Sequence, residues 1–512
     1  MPADQTTSAS YREALKATSI TGTSSVIEVV VGMIKSKVIA VCVGPEGIGL
    51  FGVLTAATGL IGSLANLGLN TSGVRQVAAA SGTNDQHKIA RVIYTLRRTS
   101  LVCGLLGMIV VLALAKPLAK LTSGSAANAS YLMLLAPLIL FRNVNAGQTA
   151  LLRGLRRIGD LARIRILGAI TATVFSVPLV LAWGINGIAP AMLATALSAL
   201  GVSWWYTRKV RIPSIELTFG EISAEAGALF SLGAAFLMAG LQEPIVQNAF
   251  RAILVHRTDM HTVGQFLAAS ALSHVYVNFV LQAMGLDYLP RLTRYKENKA
   301  EINRLVNEQT EIALLLAIPG VTALVVFAPL LIPILYSGRF TEAAEVFQWQ
   351  CLGVLLKVAS WALGYVLVAL GLRAMFFLTE TVTNAVYVGA FYLLVQHYML
   401  TGAALTFAMV YIWYLTLIYF TVRSATGFAW SPGARRIFLA ALGSYCGAAS
   451  IPFVVPSGWR WVTGVLVVSV TAVWAYRELC RRTDLPLAGK SIERWRALLQ
   501  RTLRRKRGAT RS

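Results

Sequence analysis

The stretch "KSKVIAVCVGPEGIGLFG" (35–52) puts two lysines into a run otherwise apolar enough to lie in a bilayer, turns at Gly44-Pro45, and becomes apolar again. Apolar stretches before the turn (20–43) and after it (47–69) each have the length a helix needs to cross about 30 Å of hydrocarbon. The segment therefore reads as a membrane hairpin. Its lysines need a reason, because an ionisable group at the bilayer centre costs about 2.5–3.5 kcal/mol on insertion scales.

Working outward, the same pattern recurs over 99–116, 128–152, 164–183, 185–206, 228–254, 262–286, 311–335, 346–371, 374–396, 400–422, 436–455 and 459–476. The chain has 512 residues, 56% hydrophobic and 13% charged, too apolar for a soluble surface of that size. The expected fold class is an all-α polytopic membrane protein with about fourteen transmembrane helices. Residues 1–19 are polar and lack an apolar core, so no cleavable signal peptide is expected. The net charge of +24 is distributed asymmetrically. "RGLRRIGDLARIR" (153–165), "RKVR" (208–211), "PRLTRYKENK" (290–299) and "RTLRRKRGATR" (501–511) fall on one side of the membrane. The positive-inside rule then places both termini in the cytoplasm, with anionic membrane lipid rather than nucleic acid as the partner of the basic tail. The five cysteines match no zinc or CxxC spacing, and neither a metal nor a cofactor is expected.

The chain also repeats itself. Gly49 and Phe51 match Gly264 and Phe266 at an offset of 215 residues; "NLGLN" (66–70) matches "AMGLD" (283–287), "LLRGLRR" (151–157) matches "VALGLRA" (368–374), and Gly187 matches Gly402, all at offsets of 215 to 217. A unit of six helices is even, so both copies enter the membrane in the same direction, as in two-lobed alternating-access transporters. The expected organisation is an N-terminal six-helix lobe (1–211), a C-terminal six-helix lobe (212–430), an extra helix pair (431–480) and a basic cytoplasmic tail (481–512).

Several charges lie inside the apolar runs. Ser24, Glu28, Gly32 and Lys35 form a stripe at helical spacing. Lys37 points about 200° away from Lys35, so a straight helix offers a cavity one lysine or the other. At the repeat offset from Glu28 stands Glu243, followed by Pro244 and by Arg251, much as Lys35 follows Glu28. Arg142 in "LFRNVNAGQ" (140–148) and Lys357 in "LGVLLKVASW" (352–361) sit mid-span in corresponding helices, and His274 shares a face with Asn278 and Gln282. Each has a bland alternative: Lys37 and Arg251 snorkelling to headgroups, His274 packing, and ion pairs that fix helix rotation. The functional reading is a wet chamber lined by Lys35, Lys37, Arg142, Arg251 and Lys357 that binds a diphosphate headgroup. Glu28, Glu243 and His274 would balance those cations or couple transport to protons or sodium.

"SKVIAVCVGPEGIGLFG" and "ALLRGLRRIGDL" (150–161) resemble the end of the first helix and the fourth-helix exit of the O-antigen and polysaccharide-lipid translocases. That family belongs to the multidrug/oligosaccharidyl-lipid/polysaccharide exporter superfamily. Lys37, Gly44, Pro45, Gly47 and Gly49 carry the motif. The resemblance implies a two-lobed, V-shaped flippase of the bacterial inner membrane. It would turn an undecaprenyl-pyrophosphate-linked glycan from the cytoplasmic to the periplasmic leaflet by alternating access. Fourteen helices depart from the twelve common among O-antigen translocases and match the lipid II flippases instead. The alternative function is a cation-coupled multidrug exporter of the MATE type, which needs carboxylates to dominate the chamber. An enzyme is not expected: the loop over about 70–98 offers Asp85 and no nucleophile–base pair.

Overall fold

A computed structural model describes residues 3–83, 85–124, 128–210, 213 and 218–483. The tail beyond 483 lies outside the described residues. The regular structure among them is helical: α1 (Ala3–Asn66), α2 (Leu69–Ser81), α3 (Gln86–Ala113), α4 (Ala115–Ser123), α5 (Ala129–Gly154), α6 (Ile158–Trp183), α7 (Ile188–Thr207), α8 (Phe219–Gly240), α9 (Gln242–Arg257), α10 (Met260–Arg294), α11 (Lys299–Leu335), α12 (Thr341–Ala369), α13 (Arg373–Thr426), α14 (Pro432–Val454) and α15 (Arg460–Thr483). Among the described residues, eight helical stretches are long and apolar enough to cross a membrane. Their flanks expose large side chains such as Phe175, Leu181, Leu393 and Leu466, as helices in contact with acyl chains must.

The breaks have local causes. α1 is interrupted at Gly44, whose φ of 66° and ψ of −167° belong to a region open essentially to glycine, with Pro45 following. α13 breaks at Met399 (φ 49°). The 228–254 stretch, expected as one span, is interrupted at Leu241, three residues before Pro244. The segment over 70–98, expected as a loop, is mostly helix. Val77 and Ala80 of α2 pack against Val92, Ile93 and Leu96 of α3 and against Ala150 and Leu151 of α5. Tertiary burial of that one apolar face outweighs the polarity that marks the segment as non-spanning.

The chain divides into two compact units, one of residues 1–268, 332–343 and 384–403, the other of 269–331, 344–383 and 404–512. In the first, α3 packs on α5, α6 on α7, and α1 on α6. In the second, Tyr288 and Leu292 of α10, Ile302 and Val306 of α11, Leu363 and Val366 of α12 and Ile418 and Val422 of α13 share a core. There α15 is tied to α11 by the Arg482–Glu311 ion pair, and Ser431 Oγ at the start of α14 donates to the same carboxylate at 2.8 Å.

Local geometry repeats at 215 residues. A Cβ on Gly187 would strike the Leu179 carbonyl, and one on Gly402 would strike the Leu394 carbonyl. The α5–α6 turn bonds Leu155 N to Leu151 O, Arg156 N to Arg153 O and Arg157 N to Leu152 O. The α12–α13 turn bonds Leu370 N to Val366 O, Gly371 N to Val368 O and Leu372 N to Leu367 O. Arg156 (φ 54°), not Gly154, therefore corresponds to Gly371 (φ 74°). The sequence match of two glycines gives the wrong register because the turn needs positive φ at one residue, and arginine fills that place in the first copy. The "NLGLN"/"AMGLD" pair also differs in backbone: Gly68 is left-handed at the start of α2, whereas Gly285 lies inside unbroken α10.

Candidate functional site

Two helix interruptions meet in the first compact unit. Asn66 and Gly68, at the α1–α2 break, and Gly240 and Leu241, at the α8–α9 break, line a cavity of about 290 Å³. Ser63, Asn70, Thr71, Arg142 and Asn143 complete its polar side, with Ala146 beside them. Irregular backbone at membrane depth is tolerated where it borders protein or water, and paired helix breaks of this kind commonly frame transporter sites.

The polar groups are held in order by one another. Asn66 Oδ1 accepts from Asn70 N at 3.1 Å, which caps the start of α2, while Asn66 Nδ2 donates to Asn143 Oδ1 at 3.0 Å. Asn143, almost wholly buried, passes its own Nδ2 to Ile139 O at 3.0 Å. This chain of bonds fixes α2 against α5 one residue from Arg142, whose side chain is exposed to the cavity space. Asn70 Oδ1 is buried without a partner. Arg142 is the one charged residue among the described lining residues, and none of them is a carboxylate. A guanidinium among neutral amides and hydroxyls suits a small, multiply oxygenated anion: it donates in a planar fork, and no carboxylate among the described lining residues competes for it.

The other expected ligands are placed elsewhere. Lys35 Nζ donates to Thr195 Oγ1 of α7 at 2.8 Å, and Lys37 Nζ donates to Pro333 O of α11 at 2.9 Å. The two lysines do point apart, and neither lines the cavity. Arg251 is half-buried with its Nε unpartnered. Lys357 belongs to the second unit, its ammonium 5.4 Å from the Tyr411 ring centroid. It stands 215 residues after Arg142, so the two cations are repeat equivalents. Glu28 is exposed, Glu243 is exposed and accepts from Gln247 Nε2 at 2.7 Å, and His274 is exposed with Nδ1 2.7 Å from Ser270 O.

Sequence reasoning missed Ser63, Asn66, Asn70 and Asn143. The signal was there: Ser63, Asn66 and Asn70 recur at i, i+3 and i+7 along the end of an apolar run, a polar face at helical period.

A family model described as polysaccharide biosynthesis protein matches residues 38–345. The lipid III flippases of Escherichia coli (strain K12) and Shigella flexneri are each 27% identical to the chain over 417 residues, which is 78% of this chain and 96% of theirs. Among solved structures, the lipid II flippase MurJ in its inward closed conformation superposes with a TM-score of 0.69 at 13% identity, over 90% of this chain and 99% of that one. An inward-facing multidrug resistance MATE family transporter of the MOP superfamily gives 0.68 at 15% identity, over 78% and 94%. These likenesses agree with the all-α polytopic membrane fold expected from the sequence. The chain belongs to the polysaccharide biosynthesis protein family.

Proposed function

We propose that this protein is a transporter, not an enzyme: a flippase that carries an undecaprenyl-pyrophosphate-linked oligosaccharide across the bacterial inner membrane by alternating access. It would have fourteen crossings, both termini in the cytoplasm, and lobes at 1–211 and 212–430 followed by the 431–480 pair. The observation that carries the reading is a cavity whose described lining holds Arg142 and no carboxylate. Such a cavity attracts a diphosphate and repels nothing in it, whereas a cationic drug would meet a like charge. The similarity to the lipid III flippases supports a lipid-linked glycan as the class of cargo.

Arg142 takes the headgroup in this reading, with its repeat equivalent Lys357 and with Arg251 and Lys35 as further cations along the route. Coupling to protons or sodium is assigned to Glu28, Glu243 and His274. The test is binding of undecaprenyl diphosphate to the purified protein in detergent. Saturable binding displaced by inorganic pyrophosphate and weakened at least tenfold by Arg142→Ala is expected. Tight binding of a cationic dye with no competition from pyrophosphate would instead favour a multidrug exporter of the MATE type.

A further inference from the structure

The Gly44–Gly49 turn does not reach the cavity. It packs on the start of α10, where a Cβ on Gly49 would strike the Met260 carbonyl and one on Gly264 would strike the Pro45 carbonyl. Two backbones thus touch with no side chain between them. Gln265, wholly buried, continues the contact: its Nε2 donates to Arg339 O at 2.9 Å and its Oε1 accepts from Ala343 N at 3.1 Å, which joins α10 to the α11–α12 turn. Lys37 completes the circuit by donating to Pro333 O in the last turn of α11. Carbonyls there lack intrahelical partners, and the negative end of the helix dipole favours a cation.

All of these residues belong to the first compact unit. They join the first copy of the repeat (37–49) to the second (260–265 and 333–343) at one end of the molecule. Alternating access requires that contacts of this kind between copies separate once per cycle. At Gly49 and Gly264 the copies meet backbone to backbone, with the Lys37 ammonium as a charged tie and the Arg339 side chain lying against Gly44, and among the described residues no ion pair has to be parted there.

We infer that Lys37 and the Gly44–Gly49 turn form a latch closing the periplasmic end, and that its release admits the cargo to the outer leaflet. The inference rests on the orientation and transport cycle proposed above. It assigns Lys37 to the gate and not to the headgroup.

Ser337 lies in the α11–α12 turn with its hydroxyl buried and unpartnered, so Ser337→Cys is a nearly isosteric reporter. In cells producing the full chain with Cys42→Ser and Cys446→Ser, labelling of Cys at 337 by a membrane-impermeant maleimide from outside is expected to be slow. Lys37→Met, which loses a charge-assisted hydrogen bond, should speed it about tenfold, and Lys37→Arg should restore most of the protection. Gly264→Val, which crowds Pro45, should speed it independently of the lysine. Equal rates in Lys37→Met, Gly264→Val and the parent would overturn the latch. Labelling only from the cytoplasmic side would overturn the proposed orientation instead, and the rate ratios from that side would still test the latch.

Discussion

Arg142 reaches the cavity from the middle of α5, and its effect depends on guanidinium shape as well as charge. Arg142→Lys keeps the charge but loses the planar fork, so it should retain part of pyrophosphate affinity where Arg142→Ala retains almost none; isothermal titration on the three proteins checks the order. Outside the membrane, Asp259 caps α10, accepting from Thr262 N at 2.8 Å. The Thr262 hydroxyl and backbone N–H, with His261 nearby, hold its carboxyl below the ordinary carboxylate value. A group depressed in the folded state contributes stability above its ordinary value and loses it as pH falls toward the folded one. Hydrogen exchange at the start of α10, corrected for intrinsic rates, should therefore quicken between pH 7 and about pH 3, and Asp259→Ala should remove most of that dependence. Of the site, the charged residues were legible and their partners were not. Lys35 and Lys37 could be read as diverging, but which carbonyl or hydroxyl each meets depends on helices 160 and 296 residues away. The asparagines were overlooked because neutral amides carry no insertion cost large enough to stand out in an apolar run.

At the scale of elements, the break at Gly44-Pro45 was the most legible feature, since it acts through backbone chemistry that needs no tertiary context, whereas the α8–α9 break fell inside a stretch expected as one span. The break at Met399 lacks such a residue and was read only from the length of the apolar run. α2 was not legible, because its helix depends on an apolar face that only α3 and α5 complete. The α5–α6 and α12–α13 turns make a paired prediction. Both require positive φ, met by Arg156 in one and Gly371 in the other. Gly371→Ala should lower stability by about 1 kcal/mol, the cost of a Cβ in the left-handed region. Arg156→Gly should cost nothing measurable, because relief of that strain offsets the added freedom of the unfolded chain. Thermal melting of the two variants in the same detergent compares them directly.

For the whole molecule, the two copies share turns and glycine contacts at one offset yet differ in their polar content. Arg142 stands beside a network of asparagines, while its equivalent Lys357 stands beside Tyr411 and an aromatic group that includes Tyr414. Halves built alike but furnished differently suit a cargo with unlike ends, a diphosphate and a sugar chain. The composition announced a membrane protein at once; of the glycine matches, Gly187 with Gly402 kept its local geometry, while Gly154 with Gly371 was out of register and Gly68 with Gly285 differed in backbone. The location of the cavity was hidden, because it arises where two breaks far apart in sequence come together. The central claim is that this cavity, whose described lining holds no carboxylate, handles a diphosphate-linked glycan during transport. Its most direct test is translocation of an undecaprenyl-diphosphate-linked oligosaccharide in proteoliposomes, read by accessibility of the sugar to an external lectin. The account predicts transfer by the parent protein and at least a tenfold slower rate for folded Arg142→Ala; equal rates for the two would contradict it.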